Sequence, residues 1–558
     1  MNPVPTRAFH LNLLLLVSLN FLPHLSTYPL ATIVAGGGCL LWRLLYEYGK
    51  IPLPNFWVKT LLVATSSILV FNSYGQLFGL ESGTALLLCA VALKMVDRVA
   101  YRDAMVLLFL TYILLLARFF ESQSLFMTIF AGFDIIIATA LLIQLHQADH
   151  QGFDLRTLLK IGAKLLLQVA PVMVLLFFVF PRFSTTFLGL AGPKQSLVNF
   201  NDLLDPGSVE SVAKTDFVAF RVRFPKGELP PPHERYWRGP VLDESQGMLW
   251  TRGKVYKVRG IKRSLKEDAE WEQEILLEPY FNKWLFALDR PVALSQSSEA
   301  LQRSTRTTSA GSIYLRKGLN RRMIYQAYSS LRSTEGLDTD SREAHLKTEK
   351  PQDPRLLDLL ASVNQTGLTN VQKADRLLAF YQKEFRYTLE PGTMQSKSVS
   401  EFLFDKKVGF CEHFAASFAS VMRMAGVPAR VVIGFQGGEK NKYSDYYIVG
   451  TKDAHAWTEI WSDRKQGWLR YDPTSVVAPL RLQIGGQLFH QLTPEQLQQM
   501  RNDQNYLSQW NAGWVKKAAL GLDAIATKWN LFLLSFDRDK QESFFKGLGF
   551  DKVQSFWL

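Results

Sequence analysis

The chain has 558 residues, too many for a single globular core, and 47% of them are hydrophobic. Its formal net charge of +13 is compatible with an anionic membrane surface as a partner. The sequence contains no helix-turn-helix, no zinc finger and no basic block interleaved with aromatic residues, so we predict no nucleic-acid partner.

Residues 1–181 consist of long apolar runs separated by short connections, with 11 Lys and Arg against 8 Asp and Glu. Each run approaches the length that crosses a bilayer as a helix. We therefore predict a multi-pass transmembrane domain of about seven spans, embedded in a lipid bilayer. The predicted spans are centred near Leu14, Val34, Ala64, Leu87, Leu110, Ile136 and Leu175.

The basic residues of this domain fall mainly in alternate connections, and Lys and Arg favour the cytoplasmic side of a membrane. This alternation places the N-terminus in the cytoplasm. Seven crossings then place everything after Pro181 outside it, in the periplasm or at the outer face of a membrane. The residues that set this orientation are Arg7, Arg43, Lys50, Lys59, Lys94, Arg98, Arg102, Arg156, Lys160 and Lys164.

The exported part has ordinary soluble composition and begins with strands. Segments such as "FVAFRVRF" and "RYWRGPVLDESQGMLW" predict a β-rich subdomain over 182–294. Residues 295–350 are rich in Ser, Thr, Arg and Lys, which predicts a connector with one strand candidate, "SIYLRK".

Helical periodicity resumes at Pro354 and marks a predicted catalytic core over 351–490. A helical C-terminal region, 491–558, follows this core. Within that region, residues 514–536 predict an amphipathic helix that either lies near the membrane or packs on the core.

Cysteine usage singles out one residue of the core. Cys39 and Cys89 lie inside predicted spans, where a thiol behaves as a small apolar group, so Cys411 is the lone cysteine of the exported part. It opens an apolar stripe of helical spacing that ends at Gly426, which predicts Cys411 in the first turn of a helix. There the helix dipole favours the reactive thiolate, and the backbone N–H of Cys411 is placed to form half of an oxyanion hole.

Four strand candidates follow, "ARVVIGF", "DYYIVGT", "AHAWTEIW" and "GWLRYDPT", with a first hairpin predicted over 437–444. His455 lies on the third strand, and Asp472 ends the fourth because Pro473 cannot continue the ladder. Cys at a helix start, followed by His and Asp on adjacent strands, is the arrangement of a nucleophile, a base and an orienting carboxylate. We therefore predict Cys411, His455 and Asp472 as a catalytic triad.

Each of these residues alone also has a structural explanation, as a buried Cys, a satisfied His or an Asp-Pro turn. A zinc site formed by Cys411, His413, His455 and Asp472 is the other chemical option. However, the paired Cys-x-x-Cys or His-x-x-x-His spacing of such sites is missing. A calcium loop of the D-x-D-x-D-G type is also missing, so we predict neither a metal nor an organic cofactor.

The blocks "GFCEHFAASFASVMRMAGVPARVVIGF", "DAHAWTEIW" and "GWLRYDPTS", in this order, resemble those of the transglutaminase-like superfamily. With its N-terminal spans and the "YWRGPVLDESQGMLW" region, the chain resembles the bacterial membrane-anchored TgpA family over nearly its whole length. The resemblance implies a papain-like α+β core, in which Cys411 at a helix start packs on an antiparallel sheet bearing His455 and Asp472.

The resemblance also implies a multi-pass protein of the bacterial inner membrane with a periplasmic catalytic domain. Members of the family usually continue into one more membrane helix and a cytoplasmic tail, whereas this sequence ends at Leu558. We therefore expect this chain either to lack that anchor or to be part of a longer one.

The predicted function is protein-glutamine gamma-glutamyl transfer, in which Cys411 forms a thioester with a protein glutamine and a primary amine resolves it. One rival is a cysteine peptidase or amidase acting on envelope peptides, because the superfamily resemblance includes such enzymes. A second rival is a non-catalytic membrane scaffold or binding module, which the intramembrane carboxyls Glu81 and Asp134 favour. The residues predicted to shape the substrate pocket are Trp457, Glu459, Tyr387 and His413.

Overall fold

The computed structural model divides the chain into two compact units, one of Met1–Pro193 with Ile525–Leu558 and one of Lys194–Ala524. The structure describes residues 6–25, 28–75, 79–121, 124–146, 154–179, 202–206, 217–226, 230–253, 258–259, 269–280, 282–295, 304–316, 318–319, 322–330, 336–337, 339–392, 394, 398–502 and 514–535. The predicted end of the membrane domain near Pro181 and the chain beyond Ser535 lie outside the described residues.

Between residues 6 and 179, the described part of the chain contains seven α-helices, which coincide with the seven predicted apolar segments. Thr6 and Asn55 begin two of them as N-caps, since their side chains accept hydrogen bonds from backbone N–H groups of the first turn. The helices are α1 (Arg7–Phe21), α2 (Leu30–Glu47), α3 (Phe56–Tyr74), α4 (Leu80–Met95), α5 (Tyr101–Glu121), α6 (Leu125–His146) and α7 (Leu155–Val179).

Among the described residues, four of these helices, α2, α3, α6 and α7, are long and apolar enough to cross a membrane. Helices α1 and α4 have only 15 and 16 residues, and α5 carries charged residues near both ends. The segments predicted from the sequence are therefore helices, whereas the number of seven crossings stays a prediction.

One intramembrane carboxyl of this unit has a partner inside the helix bundle. Asn20 Nδ2 donates to both carboxyl oxygens of the buried Asp134, at 3.1 and 3.3 Å. A buried polar pair of this kind stabilises helix association where water is absent. The side chain of Glu81 lies outside the described residues.

The second unit contains two larger antiparallel sheets and the helices that cover them. Its helices are α8 (Thr339–Leu346), α9 (Pro354–Val363), α10 (Asn370–Glu384), α11 (Cys411–Met424), α12 (Thr474–Val477), α13 (Pro479–Ile484), α14 (Gly486–Phe489), α15 (Pro494–Asn502) and α16 (Trp514–Ser535), the last of which extends into the other unit.

The strands of the second unit are β1 (Leu203–Leu204), β2 (Val218–Arg223), β3 (Tyr236–Leu242), β4 (Glu244–Gln246), β5 (Leu249–Thr251), β6 (Val258–Arg259), β7 (Trp271–Leu277), β8 (Trp284–Leu285), β9 (Ala287–Leu288), β10 (Arg290–Ser295), β11 (Thr305–Thr308), β12 (Ile313–Leu315), β13 (Met323–Ser330), β14 (Arg386–Tyr387), β15 (Val408–Gly409), β16 (Ala429–Gln436), β17 (Glu439–Lys440), β18 (Tyr446–Gly450), β19 (Ala454–Ser462) and β20 (Gly467–Tyr471).

The five-stranded sheet, in the order β20-β19-β16-β3-β9, carries the predicted catalytic strands. Its central strand β16 is buried along its whole length, which explains why its sequence reads as an almost continuous apolar run. Helix α11 packs on β16 and β19, and Thr458 of β19 donates its hydroxyl hydrogen to the Ala415 carbonyl at 3.0 Å. The predicted helix start at Cys411 and the strands bearing His455 and preceding Asp472 are confirmed.

The pairing of β16 with β3 depends on a glycine. A Cβ atom at Gly434 would overlap the Trp237 carbonyl oxygen of β3 and lie 3.1 Å from the Trp457 ring. Only a residue without a side chain permits this approach of the two backbones. Gly434 thus allows β3, a strand from the N-terminal half of the exported part, to join the five-stranded sheet.

Both larger sheets combine strands from either side of the predicted subdomain boundary. Strand β3 pairs with β16, while β18 pairs with β2 in the six-stranded sheet of order β10-β13-β7-β2-β18-β17. The predicted connector 295–350 includes β12 at "SIYLRK", but it also includes β11, β13 and α8. The division of residues 182–490 stays a prediction, and hydrogen-bonded sheets run across it.

The prediction that residues 437–444 form a hairpin between two paired strands is wrong. Strand β16 belongs to the five-stranded sheet and β18 to the six-stranded one, so the chain changes sheets between them. Gly437 and Gly438 have φ angles of +100° and +116°, which L-residues with side chains rarely adopt. The hairpin that does form joins the short strand β17 to β18.

The first half of α16 packs on the six-stranded sheet, and packing on the core is one of the two locations predicted for this helix. Leu520 contacts the buried cluster around Tyr446 and Ile448. Asp523 forms an ion pair with Arg221 of β2 and accepts a hydrogen bond from the Tyr446 hydroxyl at 2.7 Å.

We predict that Asp523→Ala loosens this half of α16 by about 1–3 kcal/mol, because Arg221 and Tyr446 lose a largely buried acceptor. Hydrogen exchange of the backbone amides over 516–524 should accelerate accordingly. Asp405→Asn, which alters an exposed pair with Arg355, is the control and should leave this exchange unchanged. Equal exchange in both variants would contradict the assigned contact.

Candidate active site

Cys411 is the first residue of α11, held there by backbone and by neighbouring loops. The preceding Phe410 has an extended backbone, and its carbonyl accepts the N–H of His413 at 3.0 Å, which starts the helix. Trp250 donates to the Ala416 carbonyl at 3.2 Å, and Ser420 donates to the Gly247 carbonyl at 3.1 Å. The β4–β5 region therefore fixes the helix that carries the cysteine.

His455 on β19 and Asp472, which directly follows β20, form a hydrogen-bonded pair. The distance from His455 Nε2 to Asp472 Oδ2 is 2.7 Å, and both side chains are buried. Burial alone would raise the pKa of Asp472, but the charge and hydrogen bond of His455 and further donors keep it below its ordinary value. Since this carboxylate can only accept, Nε2 carries the hydrogen and Nδ1 of the neutral ring is the basic nitrogen.

The second ring nitrogen of His455 differs from Nε2 in its surroundings. Among the described residues, Nδ1 of His455 is buried without a hydrogen-bond partner. Burial lowers the pKa of His455 below its usual 6.5, although Asp472 opposes this shift. The ring is therefore neutral at pH 7 and available as a proton acceptor.

The helix terminus favours a thiolate at Cys411, but burial of the thiol opposes this effect. Burial raises the pKa of the Cys411 thiol to about 12, and the positive charge of Arg481 and a hydrogen bond from the Ala456 backbone N–H only partly offset it. The helix dipole is weaker than the cost of desolvating a thiolate in a closed site. Cys411 is a protonated thiol here and needs a base to become a nucleophile.

Trp457 is buried beside the His455–Asp472 pair. Its ring lies nearly parallel to the imidazole of His455, with centroids 6.4 Å apart and an interplanar angle of 21°. It also meets the ring of Tyr236 edge to face at 5.1 Å. Trp457 therefore restricts the His455 ring, and its role in binding substrate stays a prediction.

Tyr387, another predicted pocket residue, is connected by strand pairing to the segment that precedes Cys411. Its strand β14 pairs in parallel with β15, opposite Gly409, two residues before Cys411. Burial raises the pKa of its hydroxyl, and Cys411 adds to this shift while Arg481 opposes it. The ring also contacts Phe489 and His490 of the segment after β20, at 5.7 and 6.2 Å between centroids.

Glu459 and His413 make structural contacts. Among the described residues, no contact supports the prediction that they shape the substrate pocket. Glu459 is fully buried between Arg238 and Arg430, with a 2.8 Å ion pair to the latter. Burial would raise its pKa, but these guanidinium groups hold it well below its usual range. His413 is buried between Phe402 and Phe410, and burial lowers its pKa to about 4.

Two residues of the site escaped the sequence-based prediction. Tyr236 of β3 donates its hydroxyl hydrogen to Asp472 Oδ2 at 2.7 Å. Arg481 of α13 is fully buried and donates to Gln436 Oε1 at 3.1 Å and to the Ala454 carbonyl at 3.0 Å. A charged residue inside the apolar stretch "PLRLQI" was the available signal for Arg481, because such a residue is rarely buried without a role.

The four residues considered as zinc ligands do not form a metal site. Within the part of the chain that the structure describes, no group of three or more His, Cys, Asp and Glu side chains is placed to hold a metal ion. They instead supply a thiol, a neutral base whose Nδ1 lacks a partner among the described residues, and an ionised carboxylate behind that base. A thiol, a base and a carboxylate are the groups that nucleophilic acyl transfer uses.

Comparisons with known proteins match nearly the whole chain. The family model described as the TgpA N-terminal domain matches residues 12–335, and that of the transglutaminase-like superfamily matches residues 358–473. A Pseudomonas aeruginosa protein named protein-glutamine gamma-glutamyltransferase is 31% identical over 98% of this chain and 80% of its own length. A Bacillus subtilis protein, uncharacterized protein YebA, is 36% identical over 16% of this chain and 13% of its own length.

Among solved structures, the periplasmic domain of TgpA from Pseudomonas aeruginosa is similar to this chain, with 33% sequence identity. The match covers 52% of this chain and 99% of that domain, with a TM-score of 0.46.

We predict that Glu459→Gln lowers the free energy of unfolding by about 3–5 kcal/mol, because it removes the buried carboxylate that contacts both Arg238 and Arg430. Urea unfolding followed by tryptophan fluorescence measures this change. Glu384→Gln, which removes an exposed pair with Lys407, should cost no more than about 1 kcal/mol. Similar costs for the two substitutions would show that Glu459 is not a structural counter-ion.

Proposed function

The chain belongs to the TgpA family of transglutaminase-like proteins, and from this premise we propose that it is a protein-glutamine gamma-glutamyltransferase with Cys411, His455 and Asp472 as its triad. The observation that carries the proposal is the buried His455–Asp472 pair, whose remaining ring nitrogen lacks a partner among the described residues. The pairing of His455 Nε2 with a buried carboxylate distinguishes this residue from His413, whose Nδ1 also lacks a partner among the described residues.

The first half of the proposed reaction is acylation. Nδ1 of His455 accepts the thiol proton as the Cys411 sulfur attacks the side-chain carboxamide of a protein glutamine. The S–C bond forms, and the tetrahedral intermediate collapses with cleavage of the C–N bond. The leaving nitrogen takes the proton from His455, so ammonia departs and a thioester remains. Asp472 stabilises the imidazolium that exists between these steps.

The second half resolves the thioester with a primary amine, such as a lysine of an envelope protein. His455 removes a proton from the attacking amine, an isopeptide bond forms, and the thiol is regenerated when the sulfur takes that proton. The backbone N–H of Cys411, at the start of α11, is the proposed donor to the oxyanion in both halves.

Burial of the site favours transfer over the hydrolytic rival. Cys411 and His455 are almost inaccessible to solvent, with 7% and 2% of their surface exposed. Bulk water is far more concentrated than any amine acceptor. A site that excludes bulk water therefore lets a bound amine attack the thioester in competition with hydrolysis. The site must open to admit either substrate, and the amine then arrives with the acceptor protein.

We place this protein in the bacterial inner membrane as a multi-pass protein, with the catalytic unit in the periplasm. The alternation of Lys and Arg between the apolar segments supports this orientation. The helices that can cross a membrane support attachment to the bilayer. The proposed donor and acceptor are accordingly proteins of the cell envelope.

We predict that Cys411→Ala and His455→Ala each abolish incorporation of a labelled primary amine into a glutamine-containing protein. The first variant lacks the nucleophile and the second lacks the base that deprotonates it. The assay uses the full-length protein in detergent, with circular dichroism as the control for folding. Labelling that persists in either folded variant would count against the mechanism.

We further predict an acid limb of kcat/KM that lies below pH 6.5. The base must be unprotonated, and burial holds the pKa of His455 below 6.5, so activity persists at pH 6.5 and declines as the pH falls further. Amine incorporation measured between about pH 4 and 8 gives this limb. A midpoint at or above 6.5 would mean that a different group, or a solvated imidazole, controls the reaction.

A further inference from the structure

Asp472 is shared between two side chains that come from different parts of the chain. Its Oδ2 accepts the Nε2 hydrogen of His455 at 2.7 Å and the hydroxyl hydrogen of Tyr236 at 2.7 Å. Its Oδ1 accepts the backbone N–H of Thr474 at 2.9 Å. The carboxylate therefore has three donors, one of which is a neutral hydroxyl on the oxygen that faces the catalytic ring.

The position of the Tyr236 hydroxyl is fixed by its surroundings. Tyr236 is 3% exposed, and β3 pairs with β16 so that Tyr236 lies opposite Gln436. Its ring meets Trp457 edge to face at 5.1 Å, and the Arg470 guanidinium lies 3.9 Å from its centroid on one face. The centroids of the Tyr236 and His455 rings lie 5.9 Å apart, so Tyr236 packs beside the base as well as the carboxylate.

We propose that Tyr236 is a fourth, positioning member of the catalytic group, whose hydroxyl shares Asp472 with His455 and limits how strongly that carboxylate stabilises the imidazolium. The hydroxyl draws part of the carboxylate charge toward itself and holds Oδ2 in line with Nε2. Without it, the carboxylate acts on His455 alone, so the imidazolium becomes more stable and the ring stays protonated to higher pH. This inference deepens the proposed function and rests on its acyl-enzyme step.

The proposed catalytic centre then combines residues from two separate regions of the chain. Tyr236 lies in the region matched by the TgpA N-terminal family model, whereas all three triad residues lie in the transglutaminase-like match. Gly434 permits the close approach of β3 that brings Tyr236 to the site. The transglutaminase-like segment alone lacks the donor that completes Asp472.

The test is the pH dependence of acylation in full-length Tyr236→Phe, which removes the hydroxyl and keeps the ring. The probe is p-nitrophenyl acetate, whose burst of p-nitrophenol reports acylation of the cysteine whichever acceptor later resolves the thioester. The control is Tyr325→Phe, which removes an equally buried hydroxyl that donates to the Phe286 carbonyl at 2.6 Å, outside the site. Amine incorporation by each variant is measured in parallel.

We expect Tyr236→Phe to move the acid limb of acylation upward by roughly 0.5–1 pH unit and to lower its plateau roughly 3- to 10-fold. Tyr325→Phe should reduce thermal stability by a similar amount but leave the acid limb unchanged. An unchanged limb in Tyr236→Phe, an equal shift in both variants, or the absence of any burst from the wild type overturns the inference. A shifted limb without amine incorporation by any variant supports Tyr236 and refutes transfer to amines.

Discussion

The hydrogen bond from His455 Nε2 to Asp472 Oδ2 is the interaction on which the site depends. It fixes the tautomer of a buried neutral imidazole, so that Nδ1 presents a lone pair, which lacks a partner among the described residues. The same burial keeps the Cys411 thiol protonated in the closed site. In the proposed reaction, the proton therefore moves from the sulfur to this nitrogen as the sulfur attacks.

A single sheet brings the members of this site together from distant parts of the chain. Strand β19 carries His455, β20 leads into Asp472, β3 supplies Tyr236, and α11 places Cys411 against the same sheet. The close contact at Gly434 and the buried ion cluster of Glu459 with Arg238 and Arg430 join β3 to the catalytic strands. Strand β3 is thus part of the structure that positions the proposed catalytic side chains.

Local sequence patterns predict the helices and strands that carry the site. They do not predict which distant strands pair with each other. The apolar stripe after Cys411 and the alternation through His455 defined α11 and β19 almost to the residue. No local signal showed that β16 would pair with β3, about 190 residues earlier, and not with β18. Strand pairing at that separation is decided by tertiary packing, so Tyr236 could not be assigned to the site from periodicity.

Charges inside the fold were also difficult to predict. Glu459 shares a strand face with His455 in the sequence pattern, yet its role is set by guanidinium groups from two other strands. The thiol of Cys411 has the helix position of an activated nucleophile, but burial outweighs the dipole. Such balances depend on the three-dimensional surroundings of each group, which a linear pattern does not contain.

The most direct measurement of the central claim is peptide mapping of the acyl-enzyme by mass spectrometry. The full-length protein is mixed with a glutamine-containing peptide in the absence of an amine acceptor and quenched in acid. We expect an acyl adduct on the peptide that contains Cys411, removable by hydroxylamine, and no adduct in His455→Ala. Release of ammonia with the adduct on another residue, or with none on Cys411, would contradict the proposed nucleophile.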